Sequence, residues 1–286
     1  MIDTELFQRL SEHATKWNVA VDKSLETESS LIAFGRQNNQ PVVLKIIKQP
    51  GDEWNCGTIL EAFNGNGFVR AYEHAPGAVL MERLMPGGSL ADLSLNGRDA
   101  EAFEILADVL ARMFSVEVSN LHANLTQFPT VADWAKAFDR YVASSDRQIP
   151  KTLVQAGRDV FLELCASQQQ PRLLHGDLHH YNVLFDSDRS WLAIDPKGVF
   201  GELEYEVGAV MRNPAESLPL FLSSSAIERR LEQLATRLSL NYERALRWTF
   251  AQAVLSAIWS VEDGDAVDAT NTALRLTEVI RPMLGK

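Results

Sequence analysis

The spacing of apolar positions changes once along the chain. Up to about Leu84 they come in short runs with strand-like spacing. Ser30–Gln37 (SLIAFGRQ) and Pro41–Lys48 (PVVLKIIK) are β-rich runs divided by Asn38-Asn39-Gln40, which together predict a hairpin. Asp52–Asn64 (DEWNCGTILEAFN) has helical spacing and is stopped by Gly65-Asn66-Gly67. Phe68–Ala75 and Ala78–Leu84 read as two more strands, joined across Pro76-Gly77. The first part is therefore expected to be a small antiparallel sheet with one inserted helix.

Met85–Leu90 (MPGGSL) breaks this pattern. Beyond it, apolar residues recur at three- and four-residue spacing over Arg98–Val118, Val131–Ser145, Thr152–Ser167, Ala226–Leu240, Tyr242–Val261 and Asp268–Leu284, which predicts helices. Only LLHGD, NVLFD and WLAID interrupt with short strands. The fold class expected is α+β: a sheet-rich N-terminal lobe over 1–84, a hinge near 81–88, and a larger, mostly helical lobe over 85–286. We find no internal repeat.

Composition narrows the function. The 286 residues are 46% hydrophobic, enough for a packed core. No apolar run approaches the roughly 20 residues of a membrane span. The polar N-terminus lacks the pattern of a signal peptide, and Cys56 and Cys165 are the only cysteines, so a reduced cytoplasmic protein is expected. A net charge of −11 argues against nucleic-acid binding. The partner expected is a small molecule, with the chain a monomer or weak homodimer and neither nucleic acid nor membrane involved.

The chemistry concentrates in Leu173–Asp186 (LLHGDLHHYNVLFD) and Trp191–Gly198 (WLAIDPKG). Phosphoryl transfer needs a carboxylate to accept a hydroxyl proton and oxygen ligands for magnesium. His175-x-Asp177-x-x-x-x-Asn182, followed by a strand ending in Asp195, supplies those parts in that order. VVLKI provides an upstream strand lysine, Lys45. Two other readings are weighed against this one. His175, Asp177, His179 and His180 have the spacing of ligands in a metal-dependent hydrolase, although His13, His74 and His122, the remaining histidines, lie in no motif. A non-catalytic nucleotide-binding protein that keeps the same fold is the second.

These motifs resemble the aminoglycoside phosphotransferase family, which has the two-lobed protein-kinase-like fold. HGDLHHYNVL (175–184), WLAIDPKG and Arg212-Asn213-Pro214 are similar to its streptomycin 6-kinase and hydroxyurea phosphotransferase branch. So are FNGNGFVRAYEH (63–74) and AVLMERLMPGGSL (78–90). The likeness runs from about Lys45 to Pro214. It implies ATP-dependent transfer of the γ-phosphoryl group to a small molecule's hydroxyl. Asp177 would be the base, Asn182 and Asp195 the Mg2+ ligands, and Lys45 the holder of the α- and β-phosphates. The Glu82 carbonyl and Leu84 amide would face adenine. Two departures stand out. No G-x-G-x-x-G covers the phosphates; LETESSLIAF (25–34) occupies that place, leaving backbone amides and the hydroxyls of Ser29 and Ser30. Cys56 stands where the branch tends to have a helix Glu to pair with the lysine. Glu53, three residues earlier, would lie about 60° away around a helix, and Glu61 about 140° away, so Glu53 is the better candidate.

Overall fold

The computed structural model describes residues 4–116 and 128–285. The expected helix end at Val118 and His122 fall outside them. Among the described residues no helix is long and apolar enough to cross a membrane.

The chain forms two compact units. The first comprises Met1–Gly88, Val109–Leu125 and Asn182–Gly198; the second comprises Ser89–Asp108, Thr126–Tyr181 and Val199–Lys286. The units thus draw on alternating stretches of chain, where the sequence reading divides it once, near 81–88.

In the first unit, α1 (Thr4–Lys16) precedes β1 (Ala20–Glu26), β2 (Ser30–Gln37) and β3 (Gln40–Ile47). Helix α2 (Cys56–Phe63), β4 (Ala71–Ala75) and β5 (Ala78–Glu82) follow. The strands make one antiparallel sheet in the order β1-β2-β3-β5-β4. Asn38 and Asn39 take φ of 49° and 65°, the left-handed pair that a two-residue hairpin turn requires. Leu6 and Leu10 of α1 bury against Val42, Leu44, Ile46 and Leu80 of the sheet, four residues apart as one helix face demands.

Two elements here escape the sequence pattern, α1 and β1. Every residue of β1 is exposed, so it carries no apolar alternation to read. The helix expected over Asp52–Asn64 begins only at Cys56, because residues 51–55 form a turn.

The segment Pro86–Ser89 is a strand, β6, rather than a simple break; it joins β8 (Val183–Asp186) and β9 (Ser190–Ala193) in a three-stranded sheet. The hairpin β8–β9 pairs Val183 with Ala193, and the Ile194 amide donates to the Asn182 carbonyl at 2.9 Å.

The second unit is built from helices α3 (Ala91–Leu95), α5 (Val131–Trp134), α6 (Lys136–Ala143), α7 (Lys151–Ala166), α8 (Leu203–Met211), α9 (Ser224–Leu238), α10 (Tyr242–Glu262) and α11 (Thr272–Ile280). The first half of α4 (Asp99–Phe114) belongs to it as well. Strands β7 (Arg172–Leu174) and β10 (Val199–Gly201) pair antiparallel. Trp248 of α10 meets Phe161 and Tyr205 edge-to-face, each with ring centroids 5.0 Å apart, a favoured aromatic arrangement. Helix α8 leaves no helical period in the sequence. Seven of its nine residues are buried, and a helix buried on all sides has no polar face to reveal its period.

Candidate active site

The first unit holds a cavity of about 580 Å³. Side chains alternate across a strand, so β3 presents Val42, Leu44 and Ile46 to the core and Val43 and Lys45 to the cavity. Ile32 and Val79, the cross-strand partners of Lys45, sit on either side of it. Lys45 Nζ lies 2.7 Å from Glu53 Oε2 and 2.9 Å from Asp195 Oδ1. Its side chain is 3% exposed, while those of Glu53 and Asp195 are 21% and 30% exposed. Burial alone would lower the lysine's pKa; the two carboxylates more than offset this and leave it raised, so the ammonium stays charged.

Glu53 reaches Lys45 from the turn before α2. The Cys56 amide donates to the Glu53 carbonyl at 2.9 Å, and the Gly77 amide donates to the Trp54 carbonyl at 2.8 Å, pinning this turn to the β4–β5 connection. The helix-angle argument for Glu53 therefore falls away, though the residue is the lysine's partner. Glu61 instead pairs with His74 at 3.1 Å. Cys56 is buried nearby; burial, with Asp195 and Glu53 adding, pushes its thiol up to about 12 against the pull of Lys45, so it stays neutral.

Asp195 follows β9 with φ of 56°, a left-handed conformation that Asp tolerates better than most residues. Asn182 lies across the hairpin, bonded by its carbonyl to the residue before Asp195. Glu82 and Leu84 line the same cavity. The Glu82 carboxylate accepts from the Arg70 amide at 2.7 Å and pairs with Arg189, so this residue's side chain is engaged in structure.

Asp177 belongs to the second unit. Glu206, buried in α8, accepts from the Gly176 amide at 3.1 Å and the Leu178 amide at 3.4 Å, gripping the chain on both sides of Asp177. Burial pushes the Glu206 pKa up to about 7, against those amides, with Asp177 adding to the rise. Arg212 Nη2 stands 3.7 Å from Asp177 Oδ1.

Residues 16–264 match the family described as aminoglycoside/hydroxyurea antibiotic resistance kinase. The chain belongs to this family. It is therefore a small-molecule kinase, an ATP-dependent phosphotransferase with a kinase-like fold. It is 35% identical to streptomycin 3''-kinase of Klebsiella pneumoniae, over 87% of this chain and 91% of that protein. It is 28% identical to hydroxyurea phosphotransferase of Kitasatospora aureofaciens, over 90% and 74% respectively. Among solved structures it resembles a thermostable mutant of aminoglycoside phosphotransferase APH(4)-Ia in complex with ADP and hygromycin B, with a TM-score of 0.71, 17% identity, and 96% and 99% of the two chains covered.

In this kinase two of the three loop histidines accept from backbone amides and the third is packed in the core. His175 is fully buried, and its Nδ1 accepts from the Asp177 amide at 3.2 Å, shaping the loop. His179 Nδ1 accepts from the Tyr181 amide at 3.3 Å. His180 is buried against Phe103, and burial, with Arg230 adding, pushes its pKa down to about 3, so the ring is neutral. Among the described residues no three His, Cys, Asp or Glu side chains are grouped to hold a metal ion.

Glu206 and Arg212 were not singled out as site residues. The one available signal for Glu206 is a charge inside an apolar run, EYEVGAVM. A larger depression of about 850 Å³ beside α1 and β1 has Arg36 as the one titratable lining residue among the described residues.

Proposed function

We propose that this kinase transfers the γ-phosphoryl group of ATP to a hydroxyl of an aminoglycoside, with streptomycin as the acceptor to test first. The observation that carries the site assignment is Lys45, buried between Glu53 and Asp195 on the wall of the cavity. The relatives support the acceptor class: streptomycin kinases at 35% and 28% identity, the latter from Streptomyces glaucescens.

In this reading Lys45 holds the α- and β-phosphates and Glu53 fixes the lysine. The Glu82 carbonyl and Leu84 amide serve adenine. Asp177 takes the proton of the acceptor hydroxyl as its oxygen attacks the γ-phosphorus. The bond to the bridging oxygen breaks, and ADP leaves.

Asn182 and Asp195 fit magnesium, because both are hard oxygen donors. The Lys45 cluster also carries one carboxylate more than it has ammonium groups, which favours a further cation beside Asp195. Bound there, the metal would neutralise charge developing on the phosphates. ATP supply makes the cytoplasm the proposed compartment.

A panel of streptomycin, hygromycin B and hydroxyurea tests the proposal. Purified protein with ATP and magnesium should release ADP and form a phosphorylated product with streptomycin. No product with streptomycin or hygromycin B, under conditions where ATP binds, would refute it, whether or not hydroxyurea is phosphorylated.

A further inference from the structure

We infer that Arg212 is a positioning residue for Asp177, its guanidinium set in place by Gln252 through the gap left at Gly208. The inference rests on the reading of Asp177 as the base.

The arrangement is built from two helices. Arg212 caps the C-terminal end of α8, and its side chain is 16% exposed. Its Nη1 donates to Gln252 Oε1 at 3.4 Å. Gln252 is a buried residue of α10, and its Nε2 donates back to the Tyr205 carbonyl of α8. The Gln252 amide lies against Gly208, where a Cβ would stand 2.2 Å from Oε1 and 2.9 Å from the Gln252 Cβ. Any side chain at 208 would therefore displace the amide that steadies Arg212.

The geometry differs from a clamp. Arg230 grips Asp99 at 2.7 and 3.0 Å with two nitrogens on two oxygens, the bidentate form that holds a fold together. Arg212 approaches Asp177 at 3.7 Å with its nearest nitrogen, close enough to orient the carboxylate and too far to saturate it. The other ionisable groups facing this pair are Glu206, Tyr205 and His175. Burial lowers the Arg212 pKa, and Asp177 and Tyr205 oppose that shift. The Arg-Asn-Pro motif, prominent in the sequence, thereby gains a role.

Steady-state kinetics with streptomycin tests this. Arg212→Gln should lower kcat about 10- to 100-fold, the cost of a misplaced catalytic group, with KM for ATP nearly unchanged. Arg212→Lys should recover part of kcat. Gln252→Leu, which leaves the charge in place, should lose less than Arg212→Gln. In an Asp177→Asn background, Arg212→Gln should cost nothing further, as for residues acting as a unit. Wild-type kcat in Arg212→Gln overturns the inference, as does an equal loss in the Asp177→Asn background. Should Arg212→Gln fail to fold, wild-type kcat in both Arg212→Lys and Gln252→Leu overturns it. No turnover in the wild type would instead remove the underlying kinase reading, and this inference with it.

Discussion

Each unit buries a charged group, and the two differ in how far they are closed. In the first, Lys45 faces two carboxylates that are each one-fifth to one-third exposed and border a cavity. In the second, Arg230 and Asp99 are 0% and 7% exposed. Arg230 donates to both Asp99 oxygens and to the Asn213 carbonyl, and its guanidinium lies 4.6 Å from the Phe103 ring centre. Burying an ion pair is costly unless every donor and acceptor is used. The Arg230 pair finds, from within the protein, a partner for each guanidinium nitrogen and each carboxylate oxygen. Lys45 instead finds carboxylates that a phosphate chain and a metal could re-partner. Closure marks a strut, and an open edge marks a place for a ligand.

Lys45→Met should break this comparison most visibly. The loss of a fixed cation from the phosphate site is expected to lower kcat/KM for ATP about 10²–10³-fold, while the denaturation midpoint moves less than for any change at Arg230. A larger loss of stability than of activity would place Lys45 among the struts.

Arg230→Leu should show the opposite profile. Removing Arg230 leaves the buried Asp99 carboxylate with the half-exposed Arg229, 3.1 Å away, as its cation, at a cost of up to about 3–5 kcal/mol, read as a lower urea midpoint. Replacing both partners, as Asp99→Leu with Arg230→Met, should recover part of that loss. If the double variant is no better than the single one, the isolated charge is not the cause.

Glu206 is an intermediate case, a buried carboxyl held by backbone amides. Its folded pKa of about 7 lies above its ordinary 4.5, so the folded state binds the proton more tightly. The stability from this group is fully present below about pH 4.5 and is lost as pH rises through 7, by up to about 3 kcal/mol. Glu206→Gln should flatten the fall in melting temperature between pH 5 and 8. An unchanged slope would assign that fall to other groups.

The finest distinction is between two glutamates. Glu53→Gln should copy part of the Lys45→Met defect, about 10-fold, and Glu61→Gln should leave activity alone because its partner is His74. Equal kinetics for the two variants would show that Lys45 depends on Asp195 alone.

These contrasts also explain what was legible in the sequence. The chemistry proposed for Asp177, Asn182 and Asp195 rests on short local motifs, whose spacing is legible directly. Strands β2 and β3 were readable because one face of each is core. By contrast, β1 is exposed throughout and α8 is buried at seven of its nine residues, and neither leaves a periodic trace. A helical angle favours Glu53 as the lysine's partner, yet Glu53 acts from a turn that a hydrogen bond from Gly77 pins in place. Glu206, Arg212 and Arg230 act on residues far away along the chain, and such pairings are set by packing of whole helices, which no local pattern encodes.

The most direct test separates binding from transfer at Asp177. ATP affinity and the rate of labelled γ-phosphoryl transfer to streptomycin should be measured side by side for the wild type and Asp177→Asn. The account predicts nearly unchanged ATP affinity and transfer reduced about 10²–10⁴-fold, the contribution of a general base. Near-normal transfer by Asp177→Asn would contradict it.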